Sequence, residues 1–155
     1  MRALILIGCL ALAACGSGEE STTIGGTTYA SNEREGTASI TTDKGTISTV
    51  DGAAAANVDM PAFAPRYPGS TIVSAIQSQT AERTSHMVNI ETSDSVDKVA
   101  AFYEKAFADA GLSVTSRMMT AEGGLMGAEG AGKKASIAVS VDEGKTMAVV
   151  SYSGG

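Results

Sequence analysis

The chain has no tryptophan, one histidine and two cysteines in 155 residues. Its aromatic side chains are four tyrosines and three phenylalanines. So few rings argue against the stacking platforms on which bases and sugars are held. One histidine, His86, and two cysteines cannot supply a zinc site at any known spacing once the cysteines are otherwise accounted for. Positive charge is scarce as well, with 11 basic against 17 acidic residues and a net charge of −6. The only basic doublet is Lys133-Lys134, which a solvated turn explains. Nucleic acid and anionic head groups both require clustered Lys/Arg, so neither is an expected partner. Long apolar runs are absent except at the start of the chain. The three prolines, Pro61, Pro65 and Pro68, crowd into one short stretch.

What is present begins with that apolar run. Met1-Arg2 supplies a positive end. Ala3 to Ala14 is apolar apart from Gly8 and Cys9, too short to span a bilayer and about the length of a signal-peptide core. It ends in Leu12-Ala13-Ala14-Cys15, which resembles the lipobox of bacterial lipoproteins. The resemblance implies cleavage between Ala14 and Cys15, a diacylglyceryl group on the sulfur of Cys15, and acylation of its freed amine. Ala11-Leu12-Ala13 also fits ordinary secretory cleavage after Ala13. With two or three acyl chains on one residue, attachment is effectively permanent, since each buried methylene contributes about 0.8 kcal/mol. Cys9 leaves with the leader, and a lipidated Cys15 leaves no free thiol and no disulfide. The mature chain of 141 residues carries a net charge of about −7. Gly16, rather than Asp, follows the cysteine. In enterobacterial lipoproteins that implies the outer membrane.

The remainder divides by composition. By the lipobox resemblance residues 1–14 are the lipoprotein signal peptide, and residues 15–23 then read as a small, polar, flexible tether. Residues 24–50 are a Thr/Ser-rich β-hairpin region, with Thr37–Thr42 and Thr46–Val50 flanking Asp43-Lys44-Gly45. Ile24 to Tyr29 adds a possible third strand, and the low apolar content makes the sheet thin. Residues 51–70 are an Ala/Pro-rich extended linker, because its prolines block helix and ladder alike. Tyr67-Pro68-Gly69-Ser70 fits a β-turn.

Residues 71–155 form the packed domain. Alternation predicts strands near Ile72–Ser78 and His86–Ile90. Val96, Val99, Ala100, Tyr103, Ala106, Phe107 and Ala110 then recur at helical spacing. Asp94 serves as the cap, with Asp97 in the first turn and Gly111 as the stop. Strands follow near Leu112–Met118, Gly123–Gly130, Ala135–Val141 and Met147–Tyr152. The expected fold is α+β, a two-layer sandwich with one amphipathic helix on a mainly antiparallel sheet of order β-β-α-β-β-β-β, preceded by the Thr-rich hairpin. The pattern over Pro65 to Tyr152 resembles small lipoproteins and periplasmic domains of proteobacteria. That resemblance carries no catalytic residues to transfer.

No catalytic constellation emerges. His86 is alone, no serine sits in a nucleophile elbow, and Asp94 with Asp97 is explained by the helix start. Met60, Met87, Met118, Met119, Met126 and Met147 could bind Cu(I), but filling gaps in a core poor in large aromatics explains them better. The glycines of 123–132 lack the Gly-Lys-Ser/Thr and following helix of a phosphate loop. The chain thus reads as a non-enzymatic, lipid-anchored envelope protein without metal or cofactor. Its expected place is the periplasmic face of the outer membrane, with an envelope protein as a possible partner. The alternative is a periplasmic carrier of a small or apolar ligand in a cleft between helix and sheet, with Phe107, Met118 and Val139 as candidate lining. An enzyme reading would need His86 beside a carboxylate such as Glu91.

Overall fold

The structure, a computed structural model, describes residues 18–154. The cleavage and lipidation residues Ala14 and Cys15 lie outside the described residues. Four strands come first: β1 (Glu19–Ile24), β2 (Thr27–Asn32), β3 (Thr37–Thr42) and β4 (Gly45–Asp51). A single helical turn, α1 (Gly52–Ala55), leads into an irregular strap over residues 56–70. Then come β5 (Thr71–Thr80), β6 (Thr84–Thr92), α2 (Val96–Asp109), β7 (Ser113–Thr120), β8 (Gly123–Gly130), β9 (Lys133–Asp142) and β10 (Lys145–Ser153).

All ten strands form one antiparallel sheet in the order β1-β2-β3-β4-β5-β6-β10-β9-β8-β7. This overturns the compact two-layer sandwich with a hairpin ahead of it. The Thr-rich strands continue the main sheet because β4 pairs directly with β5, with Val50 opposite Ala75 and Ile47 opposite Ser78. Backbone pairing does not need apolar side chains, so their polar composition does not keep them apart. Gly25 and Gly26, both at positive φ, make the tight β1–β2 turn that divides the stretch expected as one strand. β1 itself begins at Glu19, inside the stretch expected as tether. From β6 the chain crosses through α2 to the far edge at β7, then meanders back until β10 pairs with β6.

The layering is lopsided for a physical reason. α2 lies on one side of the sheet, against β7, β8 and β9, and buries Val96, Val99, Ala100, Tyr103 and Phe107. The sheet answers with Val88, Ile90, Met126, Ile137, Val139 and Val150, all buried. Cross-strand partners share a face, and these residues alternate with exposed ones. α1 and the strap cover the same side nearer the centre, burying Ala55 of α1 and Phe63, Ala64 and Tyr67 of the strap. The strap is therefore packed structure and not an extended linker. Its prolines shape it without loosening it, and the turn at Tyr67 to Ser70 closes with a 3.1 Å backbone hydrogen bond while Gly69 takes φ 74°. The opposite side of the sheet has no second layer among the described residues.

The start of α2 also differs from expectation. Ser95, not Asp94, is the N-cap. Asp94 instead accepts from Tyr67 Oη at 2.9 Å and Lys98 Nζ at 2.8 Å, tying strap to helix. The helix ends as expected at Gly111, φ 75°. Leu112 N–H donates to the Phe107 carbonyl and Gly111 N–H to that of Ala108, a Schellman closure.

Candidate functional site

At one end of the core, on the side of α2, the strap stops short of the sheet and leaves a cleft of about 840 Å³. Asp59 to Phe63 form one wall. The β5–β6 turn from Thr80 to Thr84 forms another. Gly132 and the end of β10, Tyr152 to Gly154, close the third side. Each wall follows from local sequence. Pro61 keeps the strap out of helix and ladder, and Phe63 behind it turns inward to the core. Ala131-Gly132 makes a two-residue hairpin turn with both residues at positive φ, which brings β8 and β9 to a sharp end there.

The floor is a stack of rings. Tyr152 lies directly opposite His86 in the β10–β6 ladder. Their rings stack, with centroids 4.7 Å apart and planes 13° from parallel. Phe63 meets Tyr152 edge-on, with ring centroids 6.0 Å apart. Tyr152 Oη donates to the Asp59 carbonyl at 3.4 Å, which holds the strap over the ring. Lys133 Nζ sits 5.3 Å from the Phe63 centroid, in cation–π range. Arg83, Glu82 and Lys134 stand at the mouth, and Lys134 pairs with Glu129 at 3.0 Å.

Burial lowers the His86 pKa, so its imidazole is neutral at physiological pH. Burial also raises the Tyr152 pKa, which keeps the phenol protonated. No hydrogen bond from the described residues reaches the His86 ring. Glu91, the carboxylate that an enzyme reading pairs with it, sits at odd spacing on β6 and therefore on the other face, where it binds Lys145 at 2.6 Å. Among the described residues no three His, Cys, Asp or Glu side chains come together to hold a metal ion. The lining is mixed: Met60, Pro61, Phe63 and Ala81 alternate with Asp59, Thr80, Glu82, Arg83, Thr84 and Lys134, above the stacked rings of His86 and Tyr152. A cleft with a small apolar part and several polar groups suits a small ligand that carries both.

The lining expected from sequence is not what the structure brings together. Phe107 and Val139 are fully packed in the core, while Met118 is 69% exposed on the opposite face of the sheet. The space between helix and sheet is filled there. The cleft instead uses Met60, Pro61 and Phe63 from the stretch taken as linker. Apolar residues recurring at Val58, Met60, Phe63 and Tyr67 inside a Pro-rich segment are the signal that it docks. The methionines are dispersed: Met126 is core, Met60 and Met119 pack against it, and Met87 and Met118 are exposed.

Residues 72–145 match the model of a family described as START domain-like. The match runs from β5 to the first residue of β10, just under half of the chain, and includes α2 and the β5–β6 and β8–β9 turns that wall the cleft. No curated protein and no solved structure matches the chain.

Proposed function

We propose that this chain is a non-enzymatic carrier that takes a small or apolar ligand into the cleft between strap and sheet, and that lipid on Cys15 holds it in the bacterial cell envelope. The observation that carries the ligand reading is the ring floor of Phe63, Tyr152 and His86 beneath a cleft large enough for a small molecule. Similarity to a START domain-like family over 72–145 supports it. The anchor rests on the lipobox, with the signal cleaved between Ala14 and Cys15. Gly16 favours the periplasmic face of the outer membrane. Among the described residues no helix is long and apolar enough to cross a membrane. The activity needs no cofactor, because binding and release are the whole task.

The chain lacks tryptophan, so Phe63→Trp installs a single reporter in the floor. Titrating this variant with anilinonaphthalene sulfonate gives a saturable emission change at one probe per chain. Ala81→Arg, at an exposed turn position on the cleft wall, weakens that binding by about tenfold, or roughly 1.4 kcal/mol. A signal that never saturates, or one indifferent to Ala81→Arg, contradicts the carrier reading.

A further inference from the structure

The side of the sheet that α2 leaves bare carries an apolar, almost uncharged patch at its N-terminal end. Ile24, Tyr29, Ile40 and Ile47 lie on β1, β2, β3 and β4 and are 67, 47, 42 and 47% exposed. Tyr29 is opposite Ile40, and Ile40 opposite Ile47, so these three form one row across the strands. Ile24 shares their face, because it alternates with Thr22, the partner of Tyr29. By the same alternation, the only charged side chains on this face of β1 to β4 are Glu20 and Asp51, although the chain holds 17 acidic and 11 basic residues. The other side of these strands is a run of hydroxyls, with Thr23 and Thr28 bonded at 2.9 Å and Thr41 and Thr46 at 3.2 Å. Apart from Val50, which packs against the core from the α2 side, the large apolar residues of β1 to β4 thus lie on one side of a Ser/Thr-rich sheet, where no core uses them. Contiguous exposed patches of this kind mark interaction surfaces.

Chain length says what lies over it. Only Gly16, Ser17 and Gly18 separate Cys15 from Glu19, the first residue of β1. Three extended residues reach at most about 10 Å. β1 is the sheet's edge strand and carries Ile24. A lipid on Cys15 therefore enters its bilayer beside this patch. We infer that the open face of β1 to β4 rests on that bilayer, with Ile24, Tyr29, Ile40 and Ile47 seated at the boundary between head groups and acyl chains. This rests on the lipid-anchor reading and goes beyond it, since a tethered domain need not lie down. Tyrosine is suited to the boundary, with an apolar ring and a polar tip. With only Glu20 and Asp51 charged on this face, little has to be dehydrated on contact, and the net negative chain favours a neutral over an anionic lipid surface. α2 and the strap lie on the other side of the sheet, in water.

Tyr29→Trp tests this in the full-length chain, taken from a bacterial host and reconstituted in phosphatidylcholine vesicles. Emission shifts to the blue and falls by roughly half when the acyl chains are brominated, as for a ring at the acyl boundary. Val141→Trp, exposed on the α2 side, shows neither change. Replacing Ile40 and Ile47 by Thr abolishes the Tyr29→Trp quenching while acylation, read by intact mass, is unaltered. Equal quenching at positions 29 and 141, or none at 29, overturns the inference. A concentration-dependent blue shift without quenching assigns the face to a second copy of the chain, which also overturns it. If the mass shows no acylation, the anchor reading fails by itself. The unacylated chain added to the same vesicles then decides the face: quenching at 29 supports docking and its absence overturns it.

Discussion

Tyr67 and Asp94 show how few polar contacts fasten the strap. Lys98 Nζ, and then the Tyr67 hydroxyl, hold the Asp94 carboxyl below the ordinary carboxylate range. A carboxylate with a depressed folded pKa stabilises the fold above its unfolded value, and that contribution is lost as pH falls through the folded value. Tyr67→Phe keeps the ring and removes the bond, so urea unfolding at neutral pH shifts to lower denaturant. The difference from wild type closes as the pH falls below about 4. A gap that stays constant in acid contradicts the assignment. His86 behaves as a partly buried base. Its folded pKa lies below the unfolded value of about 6.5, so stability is intact above that pH and falls as the unfolded state takes up the proton. Thermal scans from pH 8 to pH 5 show this decline in wild type, and His86→Gln flattens it around the histidine range. His86 was conspicuous in the sequence only for being alone. Its place beside Tyr152 depends on the ladder between β6 and β10, and pairing across such a sequence distance leaves no local mark.

At the level of elements, α2 was the most legible part of the molecule. Its apolar residues recur with helical period, and Gly111 stops it where a left-handed residue is required. A Cβ at Gly111 meets no neighbouring atom, so Gly111→Ala isolates the backbone cost. It destabilises the protein by about 1–2 kcal/mol, the cost of a Cβ at a left-handed position, measured as a shift in urea midpoint with unchanged slope. An unchanged midpoint places the helix stop elsewhere. Among the strands after residue 70, β6 and β9 were legible for a like reason: their apolar residues alternate, and Gly132 and Gly144 mark the turns on either side of β9. The start of α2 was less so, because Asp94 and Ser95 are both competent caps and the contacts with Lys98 and Tyr67 draw Asp94 away. The strap was hidden by its prolines. They forbid regular structure, and irregular backbone reads as linker unless its apolar residues are weighed too. Phe63 and Tyr67 are each more than nine-tenths buried.

For the whole molecule, the decisive contact is β4 with β5, which joins a polar four-stranded half to an apolar six-stranded half. Antiparallel pairing was expected within each half and not between them, since Ser/Thr-rich strands bring no hydrophobic demand to be satisfied. One sheet implies one cooperative unit. In the Tyr29→Trp variant, tryptophan emission from the first half and far-UV circular dichroism of the whole sheet therefore report the same urea midpoint, whereas two separate midpoints would make the halves independent. The cleft belongs to this scale too, because its walls come from the strap, the β5–β6 turn, the β8–β9 turn and the end of β10. Of the residues expected from sequence to line it, Phe107 and Val139 are packed in the core and Met118 is exposed on the opposite face of the sheet. The most direct test of the carrier account uses the single histidine as a unique probe. The imidazole proton signals of His86 are followed by NMR while a lipid extract of the host envelope, and then its resolved components, are added to the protein. The account predicts that one component moves the His86 signals saturably at one molecule per chain, and that Ala81→Arg prevents it. His86 signals that stay fixed through every addition, while the fold remains intact, would contradict it.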